Sequence, residues 1–207
     1  MSMQDRKELV DEYNRFFSQK PDIWVDNSRN AFAFYALDDY LKREPESVLD
    51  IGCGNGHSIA YLSECWQSAV FTGLDLSPVA VEMAKARNPG ADFVCGFLDE
   101  VELPKFDCVL ALGVVEHFAE LQAGLTAMSR VIKPGGICFV EIPNCIGYPS
   151  SVKQEGFRRL NFGSRQWEWH LYRETWEREF ESAGLRIVKR LQGANVYSEF
   201  CWLLEVA

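Results

Sequence analysis

The residues best suited to chemistry begin at Val48-Leu49-Asp50-Ile51-Gly52-Cys53-Gly54-Asn55-Gly56, an apolar run passing directly into a glycine-rich turn. Glycines in such a turn let backbone N–H groups approach a ligand closely, because no Cβ stands in the way. A nicotinamide dinucleotide fingerprint would read G-x-G-x-x-G, whereas position 57 is His57, so the pattern is G-x-G-x-G preceded by an acid. With no pyrophosphate to seat, the turn can face a neutral or cationic ligand, Asp50 supplying negative charge nearby. Nineteen residues after Gly56 stands Asp75, closing a second apolar run; a carboxylate there can accept both ribose hydroxyls of a nucleoside. The competing readings are a plain tight turn for the glycines and a helix-capping acid for Asp75, ahead of Ser77-Pro78. A third chemical group, His117 in Val115-Glu116-His117, follows another apolar run. Its unperturbed pKa near neutrality lets it orient an acceptor or take its proton, while the alternative is that it caps or packs the next helix.

Elements must hold these groups in place. From Ser47 onward, short β-branched runs alternate with segments of helical period, the signature of a parallel α/β sheet. The expected strands are Ser47 to Cys53, Ala69 to Asp75, Ala91 to Gly96, Phe106 to Gly113, Gly136 to Ile142, Arg186 to Leu191 and Ser198 to Val206. Ser77 and Pro78 cap and open a helix to about Asn88. Phe118, Leu121, Leu125 and Met128 repeat at helical spacing until Lys133-Pro134-Gly135-Gly136 stops them, and Tyr172, Trp176 and Phe180 do the same before Gly184. Only a turn separates the last two runs, which are expected to pair antiparallel. Leu9, Tyr13, Phe16 and Phe17 mark an amphipathic helix near the start, and Ala31 to Leu41 a second one. These readings divide the chain into a helical cap, 1–46, and a main domain, 47–207, with an insertion at 144–170 that fits no clear period.

VLDIGCGNG, GLDLSPVAVEMAKAR, FDCVLALGVVEHF and RVIKPGGICFVEIPN, in that order and spacing, resemble the successive motifs of the class I S-adenosylmethionine-dependent methyltransferases. The resemblance covers roughly Ser47 to Asn144. It implies an α/β, Rossmann-like three-layer sandwich whose seven-stranded, mainly parallel sheet has its last strand antiparallel. It also implies S-adenosyl-L-methionine as cofactor. Carried onto this sequence, Gly52, Cys53, Gly54 and Gly56 line the methionine part with Asp50 nearby. Asp75 holds the ribose, Leu76 flanks the adenine, and Leu112 and Gly113 lie beside the sulfonium. The acid expected on the adenine amino group is displaced by Phe97, leaving Asp99 as the candidate with Leu98 as an apolar wall; the rival reading of Asp99, Glu100 and Glu102 is a solvated acidic loop. His117 is the catalytic candidate, with Tyr13 and His170 behind it. The implied reaction is in-line transfer of a methyl group.

Composition narrows the acceptor. The 207 residues are 47% hydrophobic and 25% charged, enough for one domain with a full core. Acids outnumber bases 30 to 21, a formal charge of −9, which opposes the nucleic-acid backbone and anionic membranes. A small-molecule acceptor is therefore expected, in a monomer or homodimer, with methylation of RNA or protein and non-catalytic cofactor binding as alternatives. The charged first residues contain no apolar stretch of signal-peptide length and no window approaches a membrane span, so the expected location is cytoplasmic. The seven cysteines include no C-x-x-C pair, and Cys95, Cys108, Cys138 and Cys201 fall in strand-like runs; they read as buried thiols, with no metal site.

Overall fold

In the computed structural model of the chain, which describes residues 3–20, 27–144, 155–159, 167–192 and 199–207, two helices, α1 (Met3–Gln19) and α2 (Asn27–Leu41), precede the first strand. The alternating part follows as β1 (Ser47–Ile51), α3 (His57–Cys65), β2 (Val70–Asp75), α4 (Pro78–Arg87), β3 (Asp92–Cys95) and β4 (Phe106–Leu112). A single 3-10 turn, Val115–His117, leads to α5 (Leu121–Arg130) and β5 (Ile132–Pro143). A hairpin of β6 (Gly156–Arg159) and β7 (Trp167–His170) comes next, then α6 (Arg173–Ser182), β8 (Leu185–Gln192) and β9 (Glu199–Val206).

Seven strands form one sheet in the order β3-β2-β1-β4-β5-β9-β8. β1 to β5 pair in parallel, and β9 runs antiparallel to both β5 and β8. The mainly parallel sheet with one antiparallel strand is the architecture expected from the sequence. One detail differs from a simple terminal hairpin: β9 lies inside the sheet and β8 forms its edge.

Side chains of successive strand residues point to opposite faces, and the core divides accordingly. Leu49, Val109 and Trp202 pack with Leu125 and Met128 of α5 and Trp176 and Phe180 of α6 on one face. On the other, Val48, Leu110 and Leu203 meet Ala33 and Leu37 of α2 with Ile59 and Leu62 of α3. Helix α2 thus belongs to a layer of the sandwich, whereas α1 places side chains along the carboxyl ends of the strands.

The helix expected to run to Lys133 ends at Arg130, and Lys133-Pro134-Gly135-Gly136 lies within β5. The pairing of β4 with β5 shifts register between Phe106 and Cys108, and a Cβ on Gly136 would come 2.9 Å from the Phe106 carbonyl oxygen. The glycine serves a close strand approach here, not a helix stop. Lys133 Nζ bonds Asp107 Oδ2 at 2.9 Å, and the same oxygen accepts from Ser47, tying β1, β4 and β5 together at the end opposite the cavity. Cys108, Cys138 and Cys201 are buried as expected, but Cys95, where β3 runs out, is exposed. Cys145 lies outside the described residues. Among those residues, no helix is long and apolar enough to cross a membrane, and no group of three or more His, Cys, Asp or Glu is suited to hold a metal ion.

Candidate functional site

Open parallel sheets bind ligands beyond the carboxyl ends of their strands, where the strand order reverses; here β1 lies between β2 and β4. A cavity of about 870 Å³ occupies that position. Its floor is the turns after β1 to β4, and its walls include α1, the first turn of α2, the Val115–His117 turn and β7.

The glycine turn is braced from below. Gly52 and Cys53 N–H groups both donate to the Leu74 carbonyl, at 2.7 and 3.0 Å. Gly52 and Gly54 have φ of +68° and +53°, a region that costs a residue with a Cβ roughly 1–2 kcal/mol. A Cβ on Gly54 would stand 3.2 Å from the Phe17 ring, so the backbone faces α1 at close range. Gly56 behaves differently from expectation. It does not line the cavity; its φ is +79° and a Cβ would meet Asn88 Nδ2 at 2.5 Å and the Ala84 Cα at 3.1 Å. Its smallness lets the start of α3 pack on α4.

Asp75 is buried and holds the turn as well as facing the cavity. Its Oδ2 accepts from the Gly54 N–H and its Oδ1 from the Ser77 N–H, each at 2.9 Å. Burial pushes its pKa up to about 6 against those hydrogen bonds, and each oxygen keeps a lone pair for a hydroxyl donor. Asp50 is deeper still, 2% exposed. Its Oδ2 has no hydrogen-bond partner, and burial raises it to about 7, partly opposed by Arg29. An orphaned buried carboxylate oxygen at a cavity wall fits a ligand that brings positive charge.

Cys53, Leu76, Leu98, Leu112 and Gly113 all line the cavity. Burial raises the Cys53 thiol well above its ordinary value, so it stays neutral. Asp99 also lines the cavity, but its carboxylate is held by Arg6 of α1 through hydrogen bonds of 3.2 and 2.7 Å, and Arg6 stacks over Phe97 at 4.6 Å. Asp99, Glu100 and Glu102 are exposed, as the acidic-loop reading expected, and Arg6 ties the first of them to α1. Asn14 of α1 makes a further link, accepting from the Ser77 hydroxyl at 2.7 Å.

His117 lines the cavity with Tyr13, the two rings meeting edge to face at 6.1 Å. Its Nε2 lies 3.8 Å from Glu116 Oε1. Burial, with Asp75 and Glu116 nearby, raises the Tyr13 hydroxyl well above its ordinary range and keeps it a neutral donor. His170 does not belong to this group: it is buried, absent from the cavity wall, and has Nε2 4.0 Å from Glu168 Oε2. The acid beside each histidine, Glu116 and Glu168, lines the cavity. Glu116 is 3% exposed and raised by burial to about 7, and Glu168 lines the wall from β7.

Sequence reasoning missed Glu116, Glu168, Arg29 and Glu141. Arg29 Nε pairs with Glu141 Oε1 at 2.5 Å, and the Gly113 N–H donates to the Glu141 carbonyl at 2.9 Å, fixing the turn after β4. Glu116 and Glu141 follow the pattern of Asp50 and Asp75, acids at the carboxyl end of apolar runs, which is the signal that could have found them. Glu168 lies in the alternating Trp167-Glu168-Trp169-His170, a period-two pattern that marks a hairpin. Arg29, in a polar stretch before an apolar helix, carries no such signal.

Residues 49–140 match the family described as a methyltransferase domain. The chain is 32% identical over 154 residues to ubiquinone biosynthesis O-methyltransferase of Brucella anthropi, covering 70% of this chain and 61% of that protein. Over 97 residues it is 33% identical to fatty-acid O-methyltransferase of Mycolicibacterium smegmatis, covering 45% of this chain and 35% of that protein. The chain therefore spans only about a third to three fifths of the length of these relatives. In fold it is similar to the crystal structure of Burkholderia thailandensis 1,6-didemethyltoxoflavin-N1-methyltransferase with bound 1,6-didemethyltoxoflavin and S-adenosylhomocysteine. The TM-score is 0.74 at 18% identity, over 98% of this chain and 87% of that one. The matched stretch contains the glycine turn, Asp75, Gly113 and His117, all at one cavity at the switch point of the sheet. On these grounds residues 49–140 of the chain are a methyltransferase domain, similar in sequence to the two O-methyltransferases and in fold to the S-adenosylhomocysteine-bound enzyme.

Proposed function

We propose that the chain methylates a small molecule held beneath α1. The observation that carries this reading is the cavity itself. At about 870 Å³ it stands near the top of the ~300–1,000 Å³ range of small-molecule sites, and α1 roofs it through Arg6, Tyr13, Phe16 and Phe17.

The cofactor supplies a methyl group on a cationic sulfur that leaves as a neutral thioether, so the activation is its own. The residues of this chain bind, orient and exclude water. Gly52 and Gly54 give close backbone approach, Asp50 meets the cationic part, Asp75 takes the ribose hydroxyls, and Leu76 and Leu98 wall the adenine. Leu112 and Gly113 border the reacting centre. Well-oriented approach contributes up to ~7–11 kcal/mol to such a reaction. His117 orients the acceptor or takes its proton, and Tyr13 donates a hydrogen bond from α1. Seven carboxylates and three cations line the cavity among the described residues, a balance that disfavours a polyanionic acceptor.

Calorimetric titration with S-adenosylhomocysteine, followed by transfer of a labelled methyl group into a small-metabolite extract, tests the proposal. Saturable cofactor binding and a labelled product of low molecular mass are expected. Failure to bind the cofactor product, or label confined to protein or RNA, overturns it.

A further inference from the structure

Resting on the methyl-transfer reading of this same cavity, we propose that the acceptor is an amine on an apolar or ring-bearing body, drawn in as its ammonium form by Glu116. The carboxylate of Glu116 projects along the floor beside Gly113. Its Oε1 lies 3.5 Å from where a Cβ on Gly113 would stand and 3.8 Å from His117 Nε2. The other oxygen, Oε2, is buried and has no hydrogen-bond partner, on a residue only 3% exposed. A carboxylate held away from water with one oxygen lacking a donor is costly, and an ammonium seated beside Gly113 brings it the opposite charge and a donor on the Oε1 side.

The surrounding charges point the same way. Arg29 of α2 acts on Glu116, but its guanidinium is paired with Glu141 of β5. Arg6 of α1 is engaged by Asp99 and Glu100. Glu168 of β7 adds negative charge close to both His117 and Glu116. Asp50 and Asp75 lie toward the glycine turn, where the cofactor's positive charge is met. A phenolate or carboxylate acceptor would set one more anion against Glu116, whereas an ammonium reverses that sign. Tyr13, His117 and Phe118 supply ring surfaces around the same space for its apolar body.

An ammonium must lose a proton before it reacts, and burial raises Glu116 to about 7, which makes it a stronger base than an ordinary carboxylate for that transfer. The proton passes from nitrogen to the Glu116 carboxylate. The freed lone pair then forms the new N–C bond as the C–S bond breaks, and the C–S pair stays on sulfur.

The test uses the full chain, first titrated with S-adenosylhomocysteine. With that ligand saturating, saturation-transfer NMR compares benzylamine and tyramine with p-cresol and phenylacetate, and labelled S-adenosylmethionine reads methyl transfer to the same four compounds. Binding and transfer confined to the two amines are expected. Glu116→Gln should cut amine binding and kcat/KM at least tenfold while S-adenosylhomocysteine affinity stays within threefold. Preference for p-cresol or phenylacetate, or no amine bound by protein that does bind S-adenosylhomocysteine, overturns the amine assignment and leaves the methyltransferase reading standing. Loss of S-adenosylhomocysteine binding in the unsubstituted chain is the separate failure of that reading.

Discussion

Arg6 and Asp99, 93 residues apart, are joined by two parallel hydrogen bonds of 3.2 and 2.7 Å. This fork links α1 to the loop after β3 and places the guanidinium over Phe97. The hydrogen bonds from Arg6 hold the Asp99 carboxyl below its ordinary value. Both partners are partly exposed, at 20% and 30%, so solvent screening limits the pair to about 1 kcal/mol of stability or less. Arg6→Ala should leave the unfolding midpoint almost unchanged. S-adenosylhomocysteine should dissociate several-fold faster in stopped-flow measurements, because α1 closes over the cavity. An unaltered off-rate would show that α1 does not gate the site.

Three of the buried acids lining the cavity give the apo protein an unusual pH response. Asp50 and Glu116 are raised to about 7 and Asp75 to about 6, while the unfolded chain loses these protons near the ordinary values of 3.8 and 4.5. Between those limits the folded state binds more protons than the unfolded state, so stability falls as pH rises. Asp99, Asp107 and Glu177 are depressed; their contribution is complete above pH 5 and disappears only in acid. Urea unfolding at pH 5.5 and pH 8 should show the protein less stable at pH 8, by on the order of a few kcal/mol. Equal or greater stability at pH 8 would contradict the burial of these groups.

Asp75→Asn removes the charge and keeps one acceptor oxygen, for the N–H of either Gly54 or Ser77, while its amide nitrogen faces the other donor. Losing a charge-assisted hydrogen bond costs roughly 1.5–3 kcal/mol, so S-adenosylhomocysteine affinity should fall about ten- to hundredfold. Asp75→Ala should also lower the melting temperature, since it strips the acceptor from both N–H groups. Calorimetry and thermal denaturation of the two variants separate these effects.

Gly56→Ala tests the packing role of the third glycine. Left-handed backbone and contact with Asn88 and Ala84 should destabilise the fold by roughly 2–4 kcal/mol. The folded fraction should still bind S-adenosylhomocysteine with affinity within a few-fold, because Gly56 is set back from the cavity. Gly54→Val should lose that affinity outright, its side chain driving into Phe17 and the ligand space. A loss of binding in Gly56→Ala with unchanged stability would return Gly56 to the cofactor site.

The strands were legible because apolar β-branched runs and the turn residues between them are local signals. That seven strands form one sheet with the last antiparallel followed from the family resemblance, whereas their order, and the cavity at the switch point, come from the tertiary structure. Asp50, Asp75 and Gly54 were legible for the same reason, lying inside continuous motifs. The side chains that complete the cavity come from elsewhere. Arg6 and Tyr13 lie on α1, Arg29 on α2 and Glu168 on a hairpin within an aperiodic stretch; they meet only through tertiary packing. His117 drew attention for its chemistry, and Glu116 beside it drew none, because a carboxylate's importance here comes from burial, which a single position in a sequence does not record.

The seat of β9 between β5 and β8 also bears on the order of assembly. Cys138 pairs with Leu204 and Val140 with Trp202, so the two strands close a loop containing the β6–β7 hairpin, α6 and β8. The β1–β4 half forms through short crossovers between near neighbours in the sequence, but this closure must wait for a distant segment to return. Trp202 and Leu204, both fully buried, add their apolar contacts only at that late step. Substitutions there should therefore speed unfolding more than they slow folding. The glycine turn and Asp75 belong to the half that can form first, so a partly folded chain whose β9 has not yet docked would already carry the cofactor end of its site.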